Sequence, residues 1–308
     1  MTKFSIIIPL YNKEQFIENT LKSVLQQTYQ NFEIIIVNDG STDRSIELLQ
    51  KYTDKRIQII HQQNQGVSVA RNNGIKLAKA QFICFLDADD YWYPHFLETF
   101  NTLIEKYKNQ YVFSAAFEVE TKWNTFKSMY SIDPNQNDLV VDFFEASKKE
   151  CVLWTSCAVF DKSVFEKVGN FDKTIKIAQD TDLWIRIGLH YPIVFTWETL
   201  AIYKHDAQSL SKKTDDLNDR LHFKKFEKEE KTNEKLKTYL DLMRYFAAMH
   251  SKLNNNLKSF KELVNEINYN NISLKKRILL KTPKPILQQL LKLQQLLVKL
   301  KLSNSVFK

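Results

Sequence analysis

Four short apolar runs rich in Ile, Val and Phe divide the first ninety residues of this 308-residue chain: Phe4–Pro9, Phe32–Val37, Ile57–His61 and Phe82–Leu86. Between the runs the apolar residues change period. Phe16, Ile17, Thr20, Leu21, Val24 and Leu25 fall on one helical face, and Val67, Ala70, Gly74, Leu77 and Ala78 fall on another. A further helix is predicted from about Asp43, with Ser41 or Thr42 placed to cap it. β-branched strands separated by amphipathic helices predict an α/β fold, a mostly parallel sheet covered by helices on both faces. Ligands bind such sheets outside the carboxyl ends of the strands. Those ends read Pro9-Leu10-Tyr11-Asn12, Asn38-Asp39-Gly40, Asn64-Gln65-Gly66 and Asp87-Ala88-Asp89, so four polar clusters converge on one edge.

The fourth end is the most telling, because a strand that delivers Asp87, Asp89 and Asp90 together leaves their charge needing a partner. A divalent cation is one such partner, and oxygen ligands favour Mg²⁺ or Mn²⁺, ions that usually also hold a phosphate. A plain loop with a helix cap at Asp90 would give the same tripeptide. Only five glycines occur, with no Gly-x-Gly-x-x-Gly and no Gly-Lys-Ser/Thr, which argues against a dinucleotide Rossmann site or a P-loop. Cys84, Cys151 and Cys157 are odd in number, lie in apolar contexts and form no zinc spacing, so a reducing compartment is expected. The first strand begins almost at once, with no signal peptide in front of it, and no run of 18 apolar residues spans a membrane.

Charge separates the chain into two parts. Residues 1–210 carry 22 Lys/Arg against 26 Asp/Glu, whereas residues 211–308 carry 22 against 10. The expected organisation is a domain over 1–211, with its acceptor-side part at about 111–211, and a basic helical region over 212–308. Within the latter, an amphipathic tail at 283–302 would start at Pro283 and Pro285. Ile286, Leu290, Leu293, Leu297 and Leu300 share one face of it, and from Lys275 onward there are nine basic residues and no acidic one. An anionic membrane surface suits that pattern, with a seam against the preceding helices or a second chain (a homo-oligomer) as the alternative. Nucleic acid is disfavoured because aromatic residues are nearly absent there.

Five ordered segments carry a family resemblance. Phe4 to Asn12, Ile36 to Asp43, Asn64 to Asn72, Leu86 to Asp90 and Gly169 to Arg186 together resemble family-2 glycosyltransferases of the GT-A fold, over roughly residues 3–211. The resemblance implies an inverting enzyme that moves a hexose-type sugar from a nucleotide-diphosphate donor to a hydroxyl of a glycan or lipid-linked acceptor. It implies work in polysaccharide biosynthesis, and the basic tail leads to the expectation that this work is done at the cytoplasmic membrane face. Pro9 and Tyr11 would line the base pocket, Asp39 would read a uracil edge, Asn64 and Arg71 would meet the nucleotide, and Asp87 and Ala88 would lie near the ribose. Asp89 would bind Mn²⁺ or Mg²⁺, with Asp87 acting indirectly and His205 joining from a Tyr203–Ser211 segment whose spacing departs from the family's. Asp180 would be the general base, with Asp182 its rival, and Gln179 stands where the family usually has a second acid. Trp154 is either a sugar platform or a core residue. A non-catalytic nucleotide-sugar-binding protein and a nucleotidylyltransferase are the competing readings. The latter would want a glycine- and lysine-rich loop after the first strand, and Pro9–Glu14 offers Lys13 but no glycine.

Overall fold

The computed structural model describes residues 2–121, 124–204 and 223–299. The four apolar runs form β1 (Phe4–Leu10), β2 (Phe32–Asp39), β3 (Ile57–Gln62) and β4 (Phe82–Phe85), separated by α1 (Ile17–Leu25), α2 (Ser45–Leu49) and α3 (Val67–Leu77). These four strands are parallel, in the order β3-β2-β1-β4. β1 is buried along its whole length, as a strand covered on both faces must be. Pro9 is tolerated in it because β1 pairs with β4 only as far as Ile7, so the missing N–H faces a side where no neighbouring strand continues. Gly74 lets α3 lie directly on β1: a Cβ there would stand 2.3 Å from Cγ2 of Ile7.

The sheet continues through β5 (Tyr91–Trp92), β6 (Val112–Glu120), β7 (Thr125–Lys127), β8 (Asp138–Val141), β9 (Ala158–Asp161) and β10 (Ile193–Lys204), with α4 (Phe96–Lys106), α5 (Phe143–Ala146), α6 (Ser163–Val168) and α7 (Gln179–Gly188) between them. β9 is antiparallel to both β4 and β6, while β6 and β10 are parallel, so the ends of β6 and β10 lie on the same edge as the end of β4. α7 feeds the start of β10, and its amino terminus therefore returns to that shared edge. Residues 112–204 thus extend the same sheet.

Beyond it lie α8 (Glu227–Glu230), α9 (Glu234–Leu253), α10 (Leu257–Glu266), α11 (Leu274–Lys281) and α12 (Lys284–Lys299). Leu236, Tyr239 and Leu240 of α9 belong to the same apolar core as the sheet, with Tyr239 against Phe143 and Phe144 of α5. Leu242, Tyr245 and Ala248 enter a second, smaller core with Ile267, Ile272 and Leu280. α12 lies within residues 283–302. Ile286, Leu290, Leu291, Leu293 and Leu296 are exposed, and Leu287 is buried. No helix among the described residues is long and apolar enough to cross a membrane. Leu300 and the end of the tail lie outside the described residues.

Candidate active site

Two loops at the carboxyl edge are stitched together by side chains. Asn12, in the left-handed region at φ 50°, accepts from the Thr42 N–H at 2.8 Å and donates its own N–H to Ser41 Oγ at 3.1 Å. The Lys13 and Glu14 N–H groups donate to Ser45 Oγ and Asp43 Oδ2. Neither Ser41 nor Thr42 caps α2, contrary to expectation: Ser41 is turned to the Asn12 loop, and Asp43 receives the Ser45 N–H instead. Tyr11 is left 45% exposed at the end of β1, free to stack on a planar group. Asp39 is buried, and its two oxygens accept from Gln62 Nε2, the Gln65 N–H and the Gly66 N–H at 2.7–2.8 Å. It fixes the turn into α3, where Gly66 adopts φ 89°. Asn64 is exposed on that turn, close under Gly40.

The Asp87–Asp90 segment does not leave its charge to a metal alone. Arg71, only 3% exposed on α3, donates from Nη2 to Asp87 Oδ1 at 2.6 Å. Its Nε and Nη1 are buried and, among the described residues, have no hydrogen-bond partner. The guanidinium lies 5.1 Å from the ring of Phe171, whose backbone is clamped from both sides by Asn72. Asp89 is met by Lys13. Burial raises the Asp89 pKa, Lys13 opposes that, and the Asp87 charge adds to it. Asp90 is fully enclosed, accepting from Ser156 Oγ at 2.6 Å and from the Lys204 N–H at 3.1 Å. Burial pushes its pKa well up, with the charges of Asp89 and Asp87 adding to the effect. Asp90 therefore joins the β4–β5 link to the end of β10, with each carboxylate oxygen engaged by a protein donor. Ser156 also accepts the Asp87 N–H, and Ala88, likewise buried, has its carbonyl held by Thr20 Oγ1. A cavity of about 450 Å³ opens beside Asp89, lined among others by Phe16, Asn19, Tyr91, Glu120 and Lys204.

Asp180 occupies the first turn of α7, half-buried, accepting from the Thr181 N–H at 2.7 Å. The residue before the helix, Ala178, is in the left-handed region at φ 61°, a conformation that stores strain in a residue with a Cβ and bends the chain into the helix. Asp182 is fully buried and bridged by Arg186 and Lys225, which removes it as a rival base. Trp154 stacks on Phe117 at 5.0 Å and meets Tyr203 at 4.8 Å, so much of its ring is packing surface. His205 lies outside the described residues. Sequence reasoning missed Lys13 as the partner of Asp89, Asn72 as the clamp on Phe171, and Ser156. Only the nearness of Lys13 to Tyr11 could have pointed to the first of these.

The carboxyl edge of the sheet thus carries an exposed aromatic side chain, a buried guanidinium and clustered carboxylates. The model of the family described as glycosyl transferase family 2 matches residues 5–169, more than half of the chain, and the chain belongs to that family. An uncharacterized glycosyltransferase of Rickettsia typhi, RT0329, is 33% identical over 213 residues, covering 67% of this chain and 65% of its own length. EpsJ of Bacillus subtilis, also an uncharacterized glycosyltransferase, is 54% identical over 89 residues, 28% of this chain and 26% of its own. The chain thus spans just under two thirds of the Rickettsia relative's length and about a quarter of that of EpsJ. Among solved structures, S. aureus TarS 1–349 in complex with UDP-GlcNAc superposes with a TM-score of 0.61 at 18% identity, covering 90% of this chain and 78% of that one. That likeness of fold reaches beyond the sheet into the carboxy-terminal helices.

Proposed function

We propose that the chain is an inverting glycosyltransferase that moves a hexose-type sugar from a UDP-sugar to a hydroxyl of a glycan or lipid-linked acceptor. The observation that carries this reading is Arg71, a buried guanidinium with one carboxylate partner and two nitrogens without one among the described residues, at the same sheet edge that exposes the ring of Tyr11. Tyr11 stacks on the base, Asp39 keeps one acceptor position, on Oδ2, for a uracil N–H, and Arg71 and Lys13 bring positive charge to the nucleotide. The acceptor hydroxyl gives its proton to Asp180 as its oxygen bonds to the anomeric carbon. The bond from that carbon to the diphosphate breaks on the opposite face, inverting the centre.

The donor set suits Mg²⁺ or Mn²⁺ only with the substrate's help. Among the described residues no group of three or more His, Cys, Asp or Glu converges, but Mg²⁺ commonly takes one or two carboxylates plus substrate phosphates. Asp89 would hold the ion directly and Asp87 through water. When bound, it would neutralise the departing diphosphate as a Lewis acid.

The basic α11–α12 segment and its exposed leucines favour an anionic membrane at the cytoplasmic face as the working surface. Replacing Leu290 and Leu293 by Asp should abolish cosedimentation with anionic vesicles while leaving nucleotide binding intact. Calorimetry with UDP, GDP and ADP in the presence of Mn²⁺ tests the donor assignment. UDP should bind tightest, because an adenine edge cannot donate to Asp39 in the same pose, and equal affinity for ADP would refute it.

A further inference from the structure

Asp87 and Asp89 are held by very different cations. The Arg71 side chain is 4% exposed and wedged beneath Phe171, whereas that of Lys13 is 27% exposed and that of its partner Asp89 is 20% exposed. The Lys13 main chain is fixed by its N–H to Ser45 Oγ, so only its flexible side chain crosses from the β1 loop to the β4 loop. Its ammonium lies 5.6 Å from the centre of the Phe16 ring, and the Lys204 ammonium lies 5.3 Å from the same ring. A lysine ammonium is a compact charge on a rotatable stem that can change partner without moving backbone.

Building on the glycosyltransferase reading, we propose that Lys13 is an exchangeable counter-cation. In the donor-free protein it holds Asp89 and keeps a divalent ion away. When a nucleoside diphosphate arrives, Lys13 passes to the diphosphate and releases Asp89 to the metal. The exchange follows from charge. An ammonium bonded to Asp89 repels a second cation seeking the same carboxylate, and the negative diphosphate offers Lys13 a stronger partner along the same edge. Metal and donor are thereby coupled. Each binds the free protein weakly and the pair binds well, so the ion is recruited only when there is a leaving group to neutralise. Arg71 cannot play this part, because it is confined beneath Phe171.

Lys13→Met and Lys13→Gln separate this exchange from a fixed structural pair. Mn²⁺ binding to the nucleotide-free protein, followed by electron paramagnetic resonance, should tighten at least ~10-fold in both variants, the scale on which one neighbouring charge shifts a local ionic equilibrium. UDP binding in EDTA, followed by calorimetry, should weaken by a similar factor, and Lys13→Arg should restore most of it. If Lys13→Met unfolds on thermal melting, Lys13→Gln carries the same comparison. Mn²⁺ affinity within twofold of the wild type in a folded Lys13→Met or Lys13→Gln protein would overturn the proposal. Wild-type protein that binds Mn²⁺ but no nucleoside diphosphate would refute the glycosyltransferase reading instead. The Mn²⁺ comparison needs no nucleotide and would still decide whether Lys13 guards Asp89.

Discussion

Arg71 at the sheet edge and Arg244 in α9 are equally buried, at 3% and 2% exposed, yet their surroundings differ in kind. Arg244 is saturated: Glu230 receives two of its N–H groups, at 2.9 and 3.1 Å, and Asp241 and Glu266 take others at 3.3 and 3.2 Å. Asp241 in turn accepts from Lys237, the Asn268 N–H and Asn271. Arg71 has Asp87 alone and leaves Nε and Nη1 without a partner among the described residues. A buried donor without an acceptor costs about 1–3 kcal/mol, more when charged. The helical region has met that demand internally, whereas at the sheet edge it is unmet among the described residues, which on the proposed reading is a place for the donor's anion. On the proposed reading, one arginine serves the fold and the other serves the donor.

The largest expected effect lies at the reacting hydroxyl, where no buried arginine stands. Asp180→Asn should lower kcat by at least ~10²-fold with UDP affinity nearly unchanged, the lower range for losing a general base. Wild-type turnover in that variant on an accepted sugar acceptor would rule out the assignment, and Asp182 could not replace it while bridged by Arg186 and Lys225. Next comes the structural arginine. Arg244→Met leaves three carboxylates facing one another and should destabilise the fold by roughly 3–5 kcal/mol, the usual consequence of halving a buried ion pair. Denaturant unfolding measures that loss, and the folded fraction should bind UDP as the wild type does. Arg71→Lys should do the reverse, weakening UDP roughly tenfold or more through lost charged hydrogen bonds while changing the unfolding midpoint little. A large stability loss with unchanged UDP affinity would erase the distinction between the two arginines.

The division between legible and illegible features follows from where the partners sit in the chain. β1, β2 and β4 are buried on nearly every residue, so their apolar runs stand out in sequence, and the parallel sheet and its ligand edge follow from them. The apolar periodicity over α12 is equally plain, because Ile286, Leu290, Leu293 and Leu297 recur at helical spacing. Partnerships across the edge are not written locally. Lys13 and Asp89 are 76 residues apart, and nothing in Asp87-Ala88-Asp89-Asp90 tells which carboxylate turns inward to Ser156. The same holds at Asp180 and Asp182, where two positions along a helix separate a half-buried acid from a fully buried one. The contribution of α9 to the main core is likewise invisible in a helical pattern that looks independent, since Phe143 and Phe144 lie almost a hundred residues earlier.

The smallest effect concerns the seam where the helical region touches the active domain. Lys225 bridges Asp172 at 3.0 Å and Asp182 at 2.6 Å, tying the turn before α8 to the segment that leads into α7. Asp172 has its pKa lowered to about 2, chiefly by the Thr174 hydroxyl, with the Thr174 N–H and Lys225 adding to it against partial burial. A carboxyl depressed on folding binds its proton more readily in the unfolded chain. Its contribution to stability is complete above the ordinary aspartate range and is lost as pH falls through about 4 toward 2. Asp172→Asn should therefore melt below the wild type at pH 7, and the gap should close progressively between pH 4 and pH 2. The residue is partly exposed, so solvent screening keeps the gap to a few degrees at most. If the gap persists unchanged at pH 2, the Asn side chain disturbs packing and the charge contributes nothing. The seam would then rest on Tyr239 and Leu240, and the bridge through Lys225 would be incidental to it.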